Sequence, residues 1–364
     1  MKSRIVNTIL LLGLIVSVKA QDKAKTKEKE VVPEKKPFTV VAEFKGQQVT
    51  GVTVAGFGRI FANFPRWRAS VENSVVEVKP NGTSVAYPDA RWNSWKPDMP
   101  VEDSVFVAVQ SVQEADGKLY VLDTRNPLWK GVVNSPRIFV FDLRTNKLAD
   151  ILVLSEYSYK PNSYINDLCI DTKHNVIYMT DSNEPGLVLY DLKKRTCNRV
   201  LTDHVSTTGE VDHLTIDGKK WGSKPVHSDG IAYDEMNDRL YYHALTGYTL
   251  YSVSASAMRN GTDDDVVGSV RKVATTPAPD GMVFDMRGNI YMADLEKHAI
   301  VYVTRKGEQR TLVEDVKVGW ADSFSIHGGY LYFTNSRIHE AGSGAEELSY
   351  QIYKIPLEYM YRTR

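Results

Sequence analysis

The 364-residue chain has two cysteines, with no CxxC pair and no zinc-finger spacing, so no disulfide framework staples it and stability must come from packing. It has no excess of either charge, 45 Lys+Arg standing against 45 Asp+Glu. Such a balance gives no electrostatic footprint for nucleic acid, which is not an expected partner. Hardly any stretch repeats its apolar residues with the 3.6-residue period of a helix. The sequence also lacks HExxH, a P-loop, a GxGxxG opening a helix and a GxSxG elbow, and His327-Gly328-Gly329 falls where a β-turn is expected. Nucleotide, flavin and serine-hydrolase chemistry are therefore not expected.

The one long apolar run is Ile9 to Val18, preceded by Lys2 and Arg4 and followed by a cut position ahead of Gln21. Residues 1–20 read as a signal peptide, which predicts a secreted or periplasmic protein. The run is shorter than the roughly 20 apolar residues of a membrane span, so no integral membrane segment is expected after cleavage. Residues 21–37, QDKAKTKEKEVVPEKKP, are charged and aperiodic and read as a flexible linker. Residues 38–364 read as a single domain, expected to be a monomer. Cys169 and Cys197 are 28 residues apart, and in an exported chain they form either a disulfide or, the preferred reading, two buried free thiols.

From residue 38 onward the chain alternates short Val/Ile/Leu/Tyr/Phe runs with Gly, Asp and Asn, the pattern of an all-β protein. One unit recurs. It begins with an Asp-headed strand, as in Asn166-Asp167-Leu-Cys-Ile-Asp171, and continues with a strand such as Val176-Ile-Tyr-Met-Thr-Asp181 and a third such as Leu187 to Leu192. Copies are headed by Asp229, Asp280 and Asp322, and two looser copies precede them, at Gly51 to Val78 and at Val105 to Asp142. The steps between Asp167, Asp229, Asp280 and Asp322 are 62, 51 and 42 residues. Roughly 40 to 50 residues per four-stranded unit is the period of propeller blades, so the sequence predicts a six-bladed β-propeller. Phe38 to Phe44 has strand character and is expected to close the ring beside Gln351 to Ile355, pairing the N- and C-terminal strands.

In a propeller the first strand of each blade lines the central channel, so Asn166, Asp167, Asp229, Asp280 and Asp322 are expected to converge at one mouth. Clustered carboxylates repel one another and are relieved by protonation or by a hard cation with oxygen ligands. Ca2+ suits them better than zinc, because no His/Cys ligand cluster accompanies them. Each Asp alone is equally explained as an Asx-turn former. Asp171, Asp234 and Asp285, and the strand-end Asp123, Asp181 and Asp294, are read that way. His227 precedes Ser228-Asp229-Gly230, where a neighbouring carboxylate would raise its pKa and make it a proton shuttle, although a loop histidine is more often simply solvated. Trp320 and Phe324 flank Asp322 and form either an aromatic wall for a ring-shaped ligand or ordinary blade packing. Glu296 and His298 reach the same opening or lie on a plain surface turn.

Several stretches in order, Phe64-Pro-Arg-Trp67, Tyr87-Pro-Asp-Ala-Arg-Trp-Asn-Ser-Trp95, Val109-Gln-Ser-Val112, Leu119-Tyr-Val-Leu-Asp-Thr124, Ile165-Asn-Asp-Leu168, His227-Ser-Asp-Gly-Ile-Ala232 and Tyr350-Gln-Ile-Tyr353, resemble the Yellow and major royal jelly protein family. The compact length is more similar to its bacterial members. The resemblance implies a secreted six-bladed propeller. Its implications for activity vary, from dopachrome conversion (a tautomerase-related reaction) to amine binding. A more distant resemblance is to calcium-dependent gluconolactonases, whose metal is held by a first-blade Glu, the Asn of an Asn-Gly pair and the Asp of an Asp-Gly pair. Asp280-Gly281 matches the last; Asp229-Gly230 stands at the second, and Gly51 to Val54 carries no Glu-Gly-Pro. Two functions follow as expectations. One is an enzyme in which a divalent cation on Asn166, Asp229 and Asp280 polarises a substrate oxygen while His227 moves a proton, giving isomerisation or lactone hydrolysis, with His227 and Asp229 as catalytic residues. The other is a non-catalytic binder of small aromatic or amine ligands, with Asp167, Asp322, Trp320 and Phe324 as contacts.

Overall fold

A computed structural model describes residues 39–357, save 343; the expected signal peptide and the whole of the expected linker lie outside the described residues. Six four-stranded antiparallel sheets follow one another along the chain. Blade 1 comprises Gly51–Val54, Ile60–Asn63, Val75–Val78 and Ser84–Ala86; blade 2, Val109–Ala115, Lys118–Asp123, Arg137–Asp142 and Lys147–Val153. Blade 3 comprises Ile165–Asp171, Val176–Asp181, Gly186–Asp191 and Thr196–Val200; blade 4, Ser228–Asp234, Arg239–Ala244, Thr249–Ser254 and Arg271–Thr275. Blade 5 comprises Met282–Phe284, Ile290–Asp294, Ala299–Val303 and Gln309–Glu314. Blade 6 takes Ala321–His327, Tyr330–Asn335 and Ser349–Pro356 from the C-terminal part, and its outermost strand, Thr39–Lys45, from the start of the domain. The closing pair runs antiparallel from Thr39 opposite Lys354 to Lys45 opposite Ser349, so the two chain ends lock the ring as the sequence predicts.

The first strands touch one another in ring order, and the apolar core is divided among the junctions between neighbouring blades. Leu122, Ile138 and Val140 of blade 2 pack on Leu168, Ile177 and Met179 of blade 3, and equivalent layers join each following pair. A second strand is covered on both faces, which is why Val176 to Asp181 is buried at every position and opens with four apolar residues in a row, Val176 to Met179.

Three differences from the sequence reading have local causes. The first strand of blade 2 is Val109–Ala115, not Val105 to Gln110; Val107 and Ala108 donate their N–H groups to the Asp123 carboxylate instead of to a sheet. The 62-residue step contains an inserted hairpin, Leu214–Ile216 with Lys219–Trp221. The 51-residue step contains two short helices, Ala255–Asn260 and Asp263–Ser269, the second opened by a capping box between Thr262 and Asp265. Cys169 and Cys197 are free and buried, on the innermost and outermost strands of blade 3 with two strands between them. Burial pushes the Cys197 thiol up to about 11, so it is not a reactive thiolate at neutral pH. Among the described residues no helix is long and apolar enough to cross a membrane.

The ring closes tightly because two Asp-Gly pairs lack a Cβ where one blade meets the next. A Cβ on Gly230 would overlap the Asp280 carbonyl oxygen, and one on Gly281 would overlap that of Asp322. Gly230→Ala and Gly281→Ala are each expected to lower stability by about 1–3 kcal/mol, the usual range for overpacking. Urea unfolding measures this; unchanged midpoints would show that the junctions have slack.

Candidate functional site

The first strands do not run straight into the channel. The register between first and second strand slips between Ile165 and Leu168, between Ser228 and Ile231, and between Ala321 and Phe324. Each slip is a bulge, and the bulged residues are Asn166-Asp167, Asp229-Gly230 and Asp322-Ser323. A bulge re-aims side chains. Second-strand threonines fix two of these bends. Thr180 accepts from the Asp167 N–H and donates to the Asp229 carbonyl at 2.6 Å. Thr334 accepts from the Ser323 N–H and donates to the Thr50 carbonyl at 2.7 Å.

The re-aimed groups meet at a constriction lined by Thr50, Gly51, Gln110 and Ser111 on its neutral side and by Asn166, Asp167, Asp229, Asp280 and Asp322 on its acidic side. The Asn166 amide donates to Asp229. The Asp229 and Asp280 carboxyl groups are neighbours, and the Asp280 charge helps to raise Asp229. Trp320 donates its indole N–H to Asp280 at 2.6 Å, and Ser111 donates to Asp167 at 2.7 Å. Among the described residues none of these four carboxyl groups forms an ion pair. Burial, with the charges of its neighbours, holds Asp229 well above the usual carboxylate range, and burial together with the Asp280 charge does the same to Asp322. Burial raises Asp280 to about 7, partly opposed by the Trp320 donor, and Asp167 to about 6, partly opposed by Ser111.

Above Asn166, Asp229, Asp280 and Asp322 opens a cup of about 340 Å³. Its walls carry Trp67, Trp129, Trp221 and Trp320, four of the six tryptophans in the chain, together with Tyr164. On one side Trp129 stacks on Tyr164 at 3.9 Å, and the Trp67 indole donates to the Tyr164 hydroxyl, which donates to Gln110. On the other side Trp221 meets Trp320 edge-on at 4.6 Å. The loop carrying Trp129 has left-handed backbone at Arg125, Leu128 and Trp129, all non-glycine, a local strain of the kind concentrated at functional sites. Trp129 is nevertheless 51% exposed over the cup.

The structure thus gathers Asn166, Asp229, Asp280, Asp322 and Trp320. The Trp320 ring is fully buried in the junction between blades 5 and 6, with its N–H turned to the carboxylates. Phe324 does not share its wall: beyond the bulge it lines a separate cavity of about 380 Å³ at the other end of the channel, where Asp167 is also partly exposed. His227 lies beside the cup without lining it, its Nδ1 accepting from the Gly209 N–H. Its pKa is lowered rather than raised, because burial outweighs the pull of Asp181 and Glu184. Asp171, Asp234 and Asp285 accept turn N–H groups, as read from sequence, while Asp123 and Asp181 also hold the lead-in to the first strand. Trp129, Tyr164 and Trp221 were not legible as wall residues; Trp67 lay within a recognised motif but without a role. The donor set at the constriction is all oxygen, with no histidine or thiol, which suits a hard divalent cation such as Ca2+ on Asn166, Asp229 and Asp280.

A carboxyl group whose folded pKa is raised binds more protons folded than unfolded, so stability falls as pH rises from about 4 to the folded value. In chelator, Asp280→Asn is expected to gain on wild type by up to roughly 1.4 kcal/mol per pH unit between pH 4 and 7. Denaturation at a series of pH values measures this; a variant losing ground over that window would contradict the buried, unpaired state of Asp280.

The fold resembles solved propellers of several kinds. A luciferin-regenerating enzyme superposes with a TM-score of 0.56 at 13% identity, covering 88% of this chain and 95% of that one. A gluconolactonase from Xanthomonas campestris gives 0.55 at 12%, covering 88% and 89%, and virginiamycin B lyase from Staphylococcus aureus gives 0.51 at 12%, covering 88% and 100%. At such identity the likeness is one of fold. In sequence, major royal jelly protein 3 of Apis mellifera is 24% identical over 203 residues, 52% of this chain and 35% of that protein. Major royal jelly protein 1 of Apis mellifera is 25% identical over 158 residues, 39% and 35%. The match spans little more than a third of the length of these curated relatives. The profile of the family described as Major royal jelly protein matches residues 108–356, which include four of the six blades complete, and the chain belongs to that family.

Proposed function

We infer that the cup is a small-molecule site in which a ring-bearing ligand lies between the tryptophan walls, over a divalent cation held by Asn166, Asp229 and Asp280. The observation that carries this reading is the charge count on the floor. Asp229, Asp280 and Asp322 are buried together without a cationic partner. One ligand ammonium would offset one of these charges; a divalent ion offsets two and accepts the all-oxygen donor set. Such an ion supplies Lewis-acid polarisation of a ligand oxygen. Trp320 orients Asp280 through its indole N–H, the stacked Trp129, Tyr164 and Trp67 exclude water from one side, and the volume fits one or two rings.

With His227 turned away, proton movement in an isomerisation or lactone hydrolysis falls to the carboxyl groups themselves. With Asp229 and Asp280 given to the cation, Asp322 is the carboxyl group on the floor left to move a proton. A second reading, capture of an aromatic amine without turnover, draws on the same walls and on cation–π attraction. The likeness to a gluconolactonase propeller supports the hydrolytic reading at the level of fold alone.

Calorimetric titration of chelator-treated protein with CaCl2 is expected to find one tight site, weakened at least tenfold in Asp229→Asn and Asp280→Asn. At a hundredfold excess over Kd, the ion adds about 2.7 kcal/mol of stability, visible as a rise in Tm. Absence of any Ca2+ effect in wild type, with amine binding retained in chelator, would replace this reading by the second.

A further inference from the structure

A separate cluster of ligating groups lies at the edge of the cup. Asp217 sits at the turn of the inserted hairpin, His298 in the turn after the second strand of blade 5, and His339 in the loop after the second strand of blade 6. One donor atom from each lies within 4.8 Å of the others. His298 Nε2 is 2.8 Å from Asp217 Oδ1, and His339 Nε2 is 3.9 Å from Asp217 Oδ2. Tetrahedral zinc with bonds of about 2.0–2.1 Å places its donors about 3.3 Å apart, between these two separations.

We propose that Asp217, His298 and His339 form a second metal site, selective for a divalent transition metal such as zinc, which fastens the inserted hairpin to blades 5 and 6. The His298 ring is already oriented for ligation. Its Nδ1 faces the Gly319 carbonyl at 3.0 Å, so that nitrogen carries the proton and Nε2 is presented to the site. His339 has no such partner on Nδ1; its ring is set by stacking on Trp320 at 6.0 Å and 17°. Glu340 comes within 3.4 Å of His339 but is engaged by Arg337 through two contacts, leaving three protein ligands and an open position. Asp217 is exposed, which gives the ion a path in. Without a metal, burial opposes charge on both rings; the Asp217 carboxylate and the Gly319 carbonyl outweigh it at His298, while His339 stays low.

Two imidazoles distinguish this site from the channel floor, because nitrogen ligands suit zinc, copper, nickel or iron and not calcium. The resembling triad of Asp171, His174 and Asp238 is a weaker candidate, since Arg259 already pairs with both of its carboxylates. The consequence for the cup is mechanical. The hairpin is two three-residue strands, too small to be stable alone, and it carries Trp221, while Trp320 stacks on His339. Its other tethers are Leu214 and Ile216, buried in the apolar core shared with blades 5 and 6, and Glu296, which accepts from the Thr215 N–H and the Tyr248 hydroxyl. A metal tying Asp217 to His298 and His339 fixes one wall of the cup.

The test uses the full chain, stripped with chelator, equilibrated with excess CaCl2 and titrated with ZnCl2 by calorimetry. Trypsin cleavage at the exposed Lys219 and Lys220 is followed in parallel. Wild type is expected to bind one Zn2+ and to be cut at least tenfold more slowly with zinc. Asp217→Asn, which keeps a residue suited to the left-handed backbone of that turn, and His298→Gln are expected to weaken binding at least tenfold and to abolish the protection. His174→Gln is expected to change neither. Zinc binding that is absent, that survives both substitutions or that is lost in His174→Gln would overturn the proposal.

Discussion

Everything at the mouth of this propeller depends on carboxyl groups brought together out of water with no cation of the protein beside them. Asp229, Asp280 and Asp322 come from three successive blades, and each is less than a tenth exposed. Such an arrangement resists folding unless the charge is removed by protons or neutralised by something bound. The protein meets part of the demand internally, through the Asn166 amide on Asp229 and the Trp320 indole on Asp280. The remainder defines what the site can hold.

The surrounding structure reads as the means of keeping that arrangement in place. Bulges aim the first-strand residues inward, threonine hydroxyls tie bulge to neighbouring blade, and two glycines let one backbone touch the next. The apolar layers between blades hold the bulges in register, and the terminal strand closes the circle so that no layer is left open. Trp320 joins these levels, with its ring in a blade junction, its N–H on Asp280, and its faces toward Trp221 and His339. Through it, the acidic floor and the histidine cluster at the rim are physically continuous.

The repeat and its period were enough to read the blade count, the closing strand and the acidic heads of the first strands of blades 3 to 6, because these are local patterns copied along the chain. The gathering of Asn166, Asp229, Asp280 and Asp322 followed from that geometry. The walls did not, since Trp129 and Trp221 stand on loops inserted between the repeating strands, where no period places them. The placement of Phe324 required knowing that a bulge at Asp322-Ser323 turns the strand before it. His227 stands two residues before Asp229, where an unbroken strand would turn both side chains to one face; the bulge at Asp229-Gly230 breaks that alternation, and the His227 side chain turns to Gly209. The short helix opened by the capping box at Thr262 and Asp265 was not read from the sequence, although that box is a local signal.

Binding of one cation by the floor carboxylates beneath the tryptophan walls can be read with Tb3+, an oxygen-seeking ion of calcium-like size whose luminescence is sensitised by nearby indoles. With Trp320 hydrogen-bonded to Asp280, excitation of tryptophan should give terbium emission that Ca2+ displaces and that Asp229→Asn and Asp280→Asn abolish. Emission that is absent, or that persists unchanged in both variants, would mean that these carboxylates hold no cation.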